Sequence, residues 1–268
     1  MLHCILAYLL IPAALVTGSP SALGQKPKIA PDHSLTAAAY IQKGLPANDR
    51  RWAADDYVQA AKVLKAIAGV DATQLPRYSS PTSSAVFGRI VSHENFKVFG
   101  SEELNLQQRF VATSGLLQGL GQILVVYGTA SDREGLFDSE LIELMRYVLE
   151  ISREVVERAD AFAASLPADD PDHDSRMKGR QQMRDGMARV VMGCLSSLEE
   201  REAYKPSDRV RLAQTLETTA PGIFAFLAPG TQQELKLRIQ RSAEDEPNST
   251  IKEGLGRLVA ALSKAKAG

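Results

Sequence analysis

A chain of 268 residues, 44% hydrophobic and 24% charged, is long enough for one large domain or two small ones. Its 31 Lys and Arg against 32 Asp and Glu leave a net charge of -1, which argues against the basic excess a non-specific nucleic-acid binder uses to displace counterions. Aromatic residues make up 6% of the chain with a single Trp, too sparse for a base-stacking platform or a sugar-stacking cleft.

The first element is a leader. From Leu2 to Gly24 no side chain is charged apart from His3, and Ile5 to Ile11 with Ala13, Ala14, Leu15 and Val16 has the length of a secretory apolar region. It falls short of the ~20 residues of a membrane span. Pro12, Gly18 and Pro20 interrupt it, which weighs against a buried helix, and Ala22-Leu23-Gly24 offers the small-x-small pattern of a cleavage site. The segment lacks the usual Lys or Arg at its start, leaving the α-amino group as its firm charge. The reading is a signal peptide over 1–24, a polar tether over 25–34 and a helical domain over 35–268, with 35–100 as a candidate N-terminal subdomain. Cleavage removes Cys4 and leaves Cys194 alone, so no internal disulfide forms. A core drawn from about 244 residues does not need one, and export without bridges fits a bacterial periplasm or extracellular space. No Cys stands at the cleavage point, which disfavours a lipid anchor.

Helical spacing dominates the rest. Ala53, Tyr57, Ala60, Leu64, Ile67 and Ala68 follow an Asn48-Asp49 cap. Leu75-Pro76 to Ser84 reads as a loop, followed by a short helix with Phe87, Ile90 and Val91 inward and an extended connector through Phe96 to Phe99. Ser101, Glu102 and Glu103 then open a central helix over about 104–127, their charge suited to the helix dipole. From Phe110 to Ser131 there is no charge, and apolar residues surround the axis. Such a helix is either the centre of a bundle or a membrane span. Gln118, Gln122, Thr113, Ser114 and four glycines favour the bundle, with Gly115 and Gly119 admitting a close neighbour and the two glutamines hydrogen-bonded within it.

An αα-hairpin over 138–165 and 175–202 follows. Leu141, Met145, Val148, Leu149, Ser152, Val155 and Val156 trace one stripe; Met183, Met187, Val190, Val191, Cys194, Leu195 and Leu198 trace its partner. Glu150 with Arg153 and Glu154 with Arg158 are spaced to pair on the outer face. Towards the C-terminus, Ser207 caps a helix expected to end at Pro221-Gly222, and Ile223 to Ala228 reads as a separate apolar segment. Thr231-x-x-Glu234 and Thr250-x-x-Glu253 read as capping boxes, the second leading into Leu255, Leu258, Val259 and Leu262. No strand alternation persists and no repeat of 20 to 50 residues appears. The fold class is all-α, an irregular multi-helix bundle.

Chemistry-bearing motifs are sparse. There is no H-E-x-x-H helix, paired C-x-x-C, G-x-S-x-G elbow or phosphate-binding glycine loop, so no catalytic residue, metal site or cofactor is assigned. Asp170, Asp172 and Asp174 mimic the first positions of a calcium loop, but Ser175 stands where Gly is needed and Gln181 where Glu is needed. Asp174 instead suits the cap of the following helix. Cys194 sits within an apolar stripe and reads as a buried, inert thiol. The ligand candidates are Arg89 and His93, four residues apart, placed to share a helix face and hold a carboxylate or phosphate. The expectation is an exported, soluble protein without a stable membrane span or nucleic-acid partner, acting by interaction or scaffolding on a protein or small-molecule partner. The alternative is an exported enzyme or small-anion binder with a cleft near Arg89 and His93.

Overall fold

The computed structural model describes residues 75–78, 84–92, 105–134, 137–164 and 173–264, together with residues 44, 59, 62, 63 and 167. The expected signal peptide, tether, Ser101–Glu103 cap and 96–99 connector lie outside these residues. The described elements are all helices: α1 (Ser84–Ile90), α2 (Leu106–Glu134), α3 (Asp138–Ala164), α4 (His173–Glu199), α5 (Pro206–Phe226), α6 (Pro229–Asp245) and α7 (Ser249–Lys264). The all-α bundle is thereby established, and its apolar stripes close into one continuous core.

Helix α2 starts on a reciprocal cap. The Gln108 backbone N–H donates to Asn105 Oδ1 at 2.9 Å, and the Asn105 N–H donates to Gln108 Oε1 at 3.0 Å. This satisfies two donors that a helix start leaves open. The helix runs on to Glu134, well past the expected end near 127. It is long and apolar enough to cross a membrane, yet 67% of its apolar window is buried among its neighbours. Leu116, Leu120, Ile123 and Tyr127 are buried, as is Gly119, while Gln122 is half-buried. The Gln118 side chain lies outside the described residues, so the expected amide pair does too.

Side-chain contacts give the helix directions. Phe110 stacks on Phe162 at 5.4 Å between ring centroids, and the Ser131 hydroxyl donates to the Asp138 carboxylate. Residue numbers fall along one helix as they rise along the other, so α2 and α3 are antiparallel. Met145 Sδ accepts from Ser197 Oγ at 3.4 Å, and Asp160 accepts from Arg180, so α3 and α4 form the expected antiparallel hairpin. Helix α4 likewise runs against α5, with Arg209 bonding the Leu198 carbonyl and Arg180 and Arg184 over the Phe226 ring. Helices α3 and α5 must then run the same way. Ser139 meets Asp208, Arg146 meets Thr215, and the space beside Gly222 is filled by Arg153, which advances seven residues on both helices at each step. Seven residues are close to two turns, so these contacts recur on one seam. Packing is most extensive for α3 against α2 and against α5, so α3 is the helix that α2 and α5 share, with α2 buried along one side of it.

The C-terminal third corrects several expected boundaries. Helix α5 starts at Pro206 without a side-chain cap from Ser207 and continues through Pro221 to Phe226. Proline lacks the N–H that would bond the Glu217 carbonyl, a cost of ~3 kcal/mol in a helix interior. Burial of Ala220, Ile223, Phe224 and Phe226 around it offsets that cost, so Ile223 to Phe226 belongs to the same helix. Helix α6 starts at Pro229, a proline with preset φ and no N–H to leave open, so Thr231 lies inside the first turn and caps nothing. Helix α7 is capped by Asn248, whose Oδ1 accepts the Ile251 N–H at 3.2 Å, displacing Thr250 from that role. Asp174 is also interior, because α4 begins one residue earlier at His173. On α3, Arg158 pairs with Glu154 at 3.3 Å as expected, while Arg153 turns to Glu154 and Glu157.

Candidate functional site

The residues singled out from sequence fall at the margin of the described structure. Arg89 lies on α1, whose last residue is Ile90, but its side chain and all of His93 lie outside the described residues. Asp170 and Asp172 are outside as well. Asp174 is exposed beside His173, 3.5 Å from its Nδ1, and among the described residues no group of acids, histidines and cysteines is arranged to hold a metal. Cys194 is buried, and burial pushes its thiol up to about 12.

Charge converges instead at two places along α5. The first is the end where α3 and α5 begin side by side. Two helix starts bring partial positive charge together, which favours acidic side chains there. Glu140, Glu143 and Asp208 occupy that end. Asp208 is buried and accepts from Ser139 at 2.8 Å and from Arg211 at 3.0 Å. Glu143 Oε2 bridges Arg146 at 2.7 Å and Arg211 at 3.1 Å, and Arg146 Nε donates to Thr215 at 2.9 Å. Glu140 is buried and accepts the Tyr78 backbone N–H at 2.5 Å, which fastens the segment before α1 to α3. The Tyr78 phenol is pushed up to about 12 by burial first and by Glu143 next, with Arg211 and Arg146 opposing.

The second place joins α4, α5, α6 and α7. The Arg209 and Glu246 side chains are 5% and 4% exposed and meet at 2.5 Å. Arg209 also donates to the Leu198 carbonyl through Nε at 3.0 Å and Nη2 at 2.6 Å, closing an open carbonyl at the end of α4. Glu246 uses its other oxygen to accept the Asn248 N–H at 2.9 Å. One buried pair therefore fixes the end of α4, the start of α5 and the turn between α6 and α7.

Above this pair opens a cleft of about 250 Å³ whose charged walls are Glu199, Arg201, Arg238, Arg241, Asp245 and Glu246. Arg238 forks onto Glu199 at 3.2 and 2.7 Å, and Ser242 donates to the same carboxylate at 2.7 Å. Burial pushes the Glu199 carboxyl up, but the Arg238 and Ser242 hydrogen bonds outweigh it and hold the group below its ordinary range. Arg201 donates to the Asp245 backbone carbonyl and lies 4.0 Å from Glu246.

These clusters carried a signal in the sequence. Arg209 occupies the helical stripe that continues through Leu212, Ala213, Leu216 and Ile223, where a charge must be buried. Glu140 heads a second α3 stripe of Leu144, Tyr147 and Ile151 in the same way. What the stripe does not reveal is the partner, since Glu246 is 37 residues from Arg209. Comparison with known protein families, curated proteins and solved structures returns no match.

Proposed function

We propose that this chain is an exported helical protein that acts by binding or scaffolding a partner rather than by catalysis. The observation that supports the reading is that the buried charges among the described residues are engaged in pairs that join one helix to another, with four titratable groups shifted in keeping with that. General acids and bases work best with pKa values near the working pH, and active sites are where such tuning concentrates. Burial drives the Tyr78 and Cys194 groups up to about 12, and arginine partners drive Glu199 and Glu217 down. Each shift moves its group away from neutrality. Buried carboxylates and guanidiniums on two sides of the start of α5 serve to bind one helix to another, as structural charges do. Export draws its support from the apolar run Ile5 to Val16 followed by Ala22-Leu23-Gly24.

Two experiments test the reading. N-terminal sequencing of the exported protein is expected to begin near Gln25, and an intact Met1 in the soluble fraction would remove the case for a leader. A photo-crosslinking residue placed in producing cells at Tyr78, Met177 or Leu237, the exposed large apolar side chains among the described residues, tests for a partner. The expected result is one discrete adduct from some positions and not others. No adduct from any of them contradicts the scaffold reading at the described surface.

A further inference from the structure

The cleft between the end of α4 and helix α6 has an imbalance in its unengaged hydrogen-bonding groups. Two of its three carboxylates are already saturated: Glu199 by Arg238 and Ser242, and Glu246 by Arg209 and the Asn248 N–H. The donors are not. Arg241, exposed on α6, makes no ion pair or hydrogen bond among the described residues, and Arg201, also exposed, donates to the Asp245 backbone carbonyl and reaches Glu246 through Nε at 4.0 Å, leaving Nη1 open. Asp245 offers the remaining carboxylate, on an exposed residue at the rim, and Arg241 forms no ion pair with it although the two stand four apart on α6.

We infer that this cleft binds a small oxyanionic group, a phosphate or carboxylate, between the guanidiniums of Arg241 and Arg201. A guanidinium presents paired N–H donors in a fixed plane that matches two oxygens of such a group. The walls favour it in a second way. With Arg238 paired to Glu199, and with Arg209 and the more distant Arg201 sharing Glu246, Arg241 is left without a carboxylate partner among the described residues. At about 250 Å³ the space lies below the ~300–1,000 Å³ of pockets for drug-sized ligands, so the ligand is a small anion or the anionic end of a larger molecule. The site shares no residue with the Arg89 and His93 candidate, and it stands or falls independently of any protein partner.

The test is titration calorimetry of the full chain at low ionic strength, with inorganic phosphate in one series and succinate in another. Saturable binding of at least one anion is expected, with affinity reduced tenfold or more in Arg241→Gln. Arg241 holds no other element, so that variant keeps the unfolding midpoint of the wild type. Lys178→Gln makes the same charge change on α4 about 30 Å along the helix from Glu199 and is expected to leave affinity unaltered. Whichever anion binds identifies the group recognised. Absence of saturable binding by both, or equal affinity in wild type and Arg241→Gln, overturns the inference.

Discussion

Removing the Arg209 guanidinium leaves the Leu198 carbonyl and the Glu246 carboxylate buried without their main donor. Breaking one side of a buried ion pair costs ~3–5 kcal/mol, whereas replacing both partners with apolar groups is often close to neutral. Arg209→Met is therefore expected to lower stability by ~3–5 kcal/mol in urea denaturation, and Arg209→Met with Glu246→Leu to recover a large part of that loss. If the double variant is as unstable as the single one, the Leu198 carbonyl rather than the charge pair dominates. The carboxylates at the cleft and on α5 predict a pH dependence. Glu199 and Glu217 are both held below the ordinary 4.5, Glu217 first by its hydrogen bonds from Arg257 at 2.6 and 2.9 Å. A depressed folded pKa means that the unfolded chain binds the extra protons. The stabilisation is thus present above about 4.5 and disappears as pH falls through the folded values. Denaturation midpoints measured from pH 6 down to pH 3 should fall on acidification, and the fall should be shallower in a Glu199→Gln, Glu217→Gln variant. Cys194, buried and pushed up to about 12, should react with a thiol reagent only after denaturant is added. Rapid labelling of the native chain would place that thiol at the surface.

At the scale of helices, apolar periodicity was the legible part. The stripes on α3, α4 and α7 lie inward where spacing put them, because a stripe of large apolar residues has only one low-energy destination. Boundaries were less legible where two signals competed. Pro221 reads as a stop, yet Ile223, Phe224 and Phe226 bury enough surface for α5 to continue. Prolines also decided the start of α6, where the Thr231-x-x-Glu234 pattern offered a false alternative. The polar seam between α3 and α5 was invisible, because its partners are 68 to 69 residues apart and separated by a whole helix. Glu143 is the hub of that seam. Glu143→Gln gives up ion pairs to both Arg146 and Arg211, an expected loss of ~1–3 kcal/mol by chemical denaturation. A change within a few tenths would assign the seam to packing alone. Gly119, buried on α2, tests the other face: Gly119→Leu should overpack it and cost ~1–3 kcal/mol, while an unchanged midpoint would mean that nothing packs closely there.

Over the whole molecule, the account rests on direction. Short connections make consecutive helices antiparallel, so α3 and α5 can lie parallel only if α4 carries the chain back between them. The parallel pair places two helix starts together, which in turn explains why Glu140, Glu143 and Asp208 collect at one end and why Arg209 is positioned to close the end of α4. Pulsed electron resonance between spin labels on a chain with Cys4 and Cys194 replaced measures this arrangement directly. Glu157 on α3 and Ala225 on α5 are both exposed and lie at the same level of the seam, whereas Ser207 is exposed at the opposite end of α5. The eighteen residue steps from Ser207 to Ala225 correspond to about 27 Å of helix. The 157–225 distance is predicted to be the shorter by a margin of that order, and a 157–207 distance shorter than 157–225 would contradict the parallel pair and the charged ends built on it.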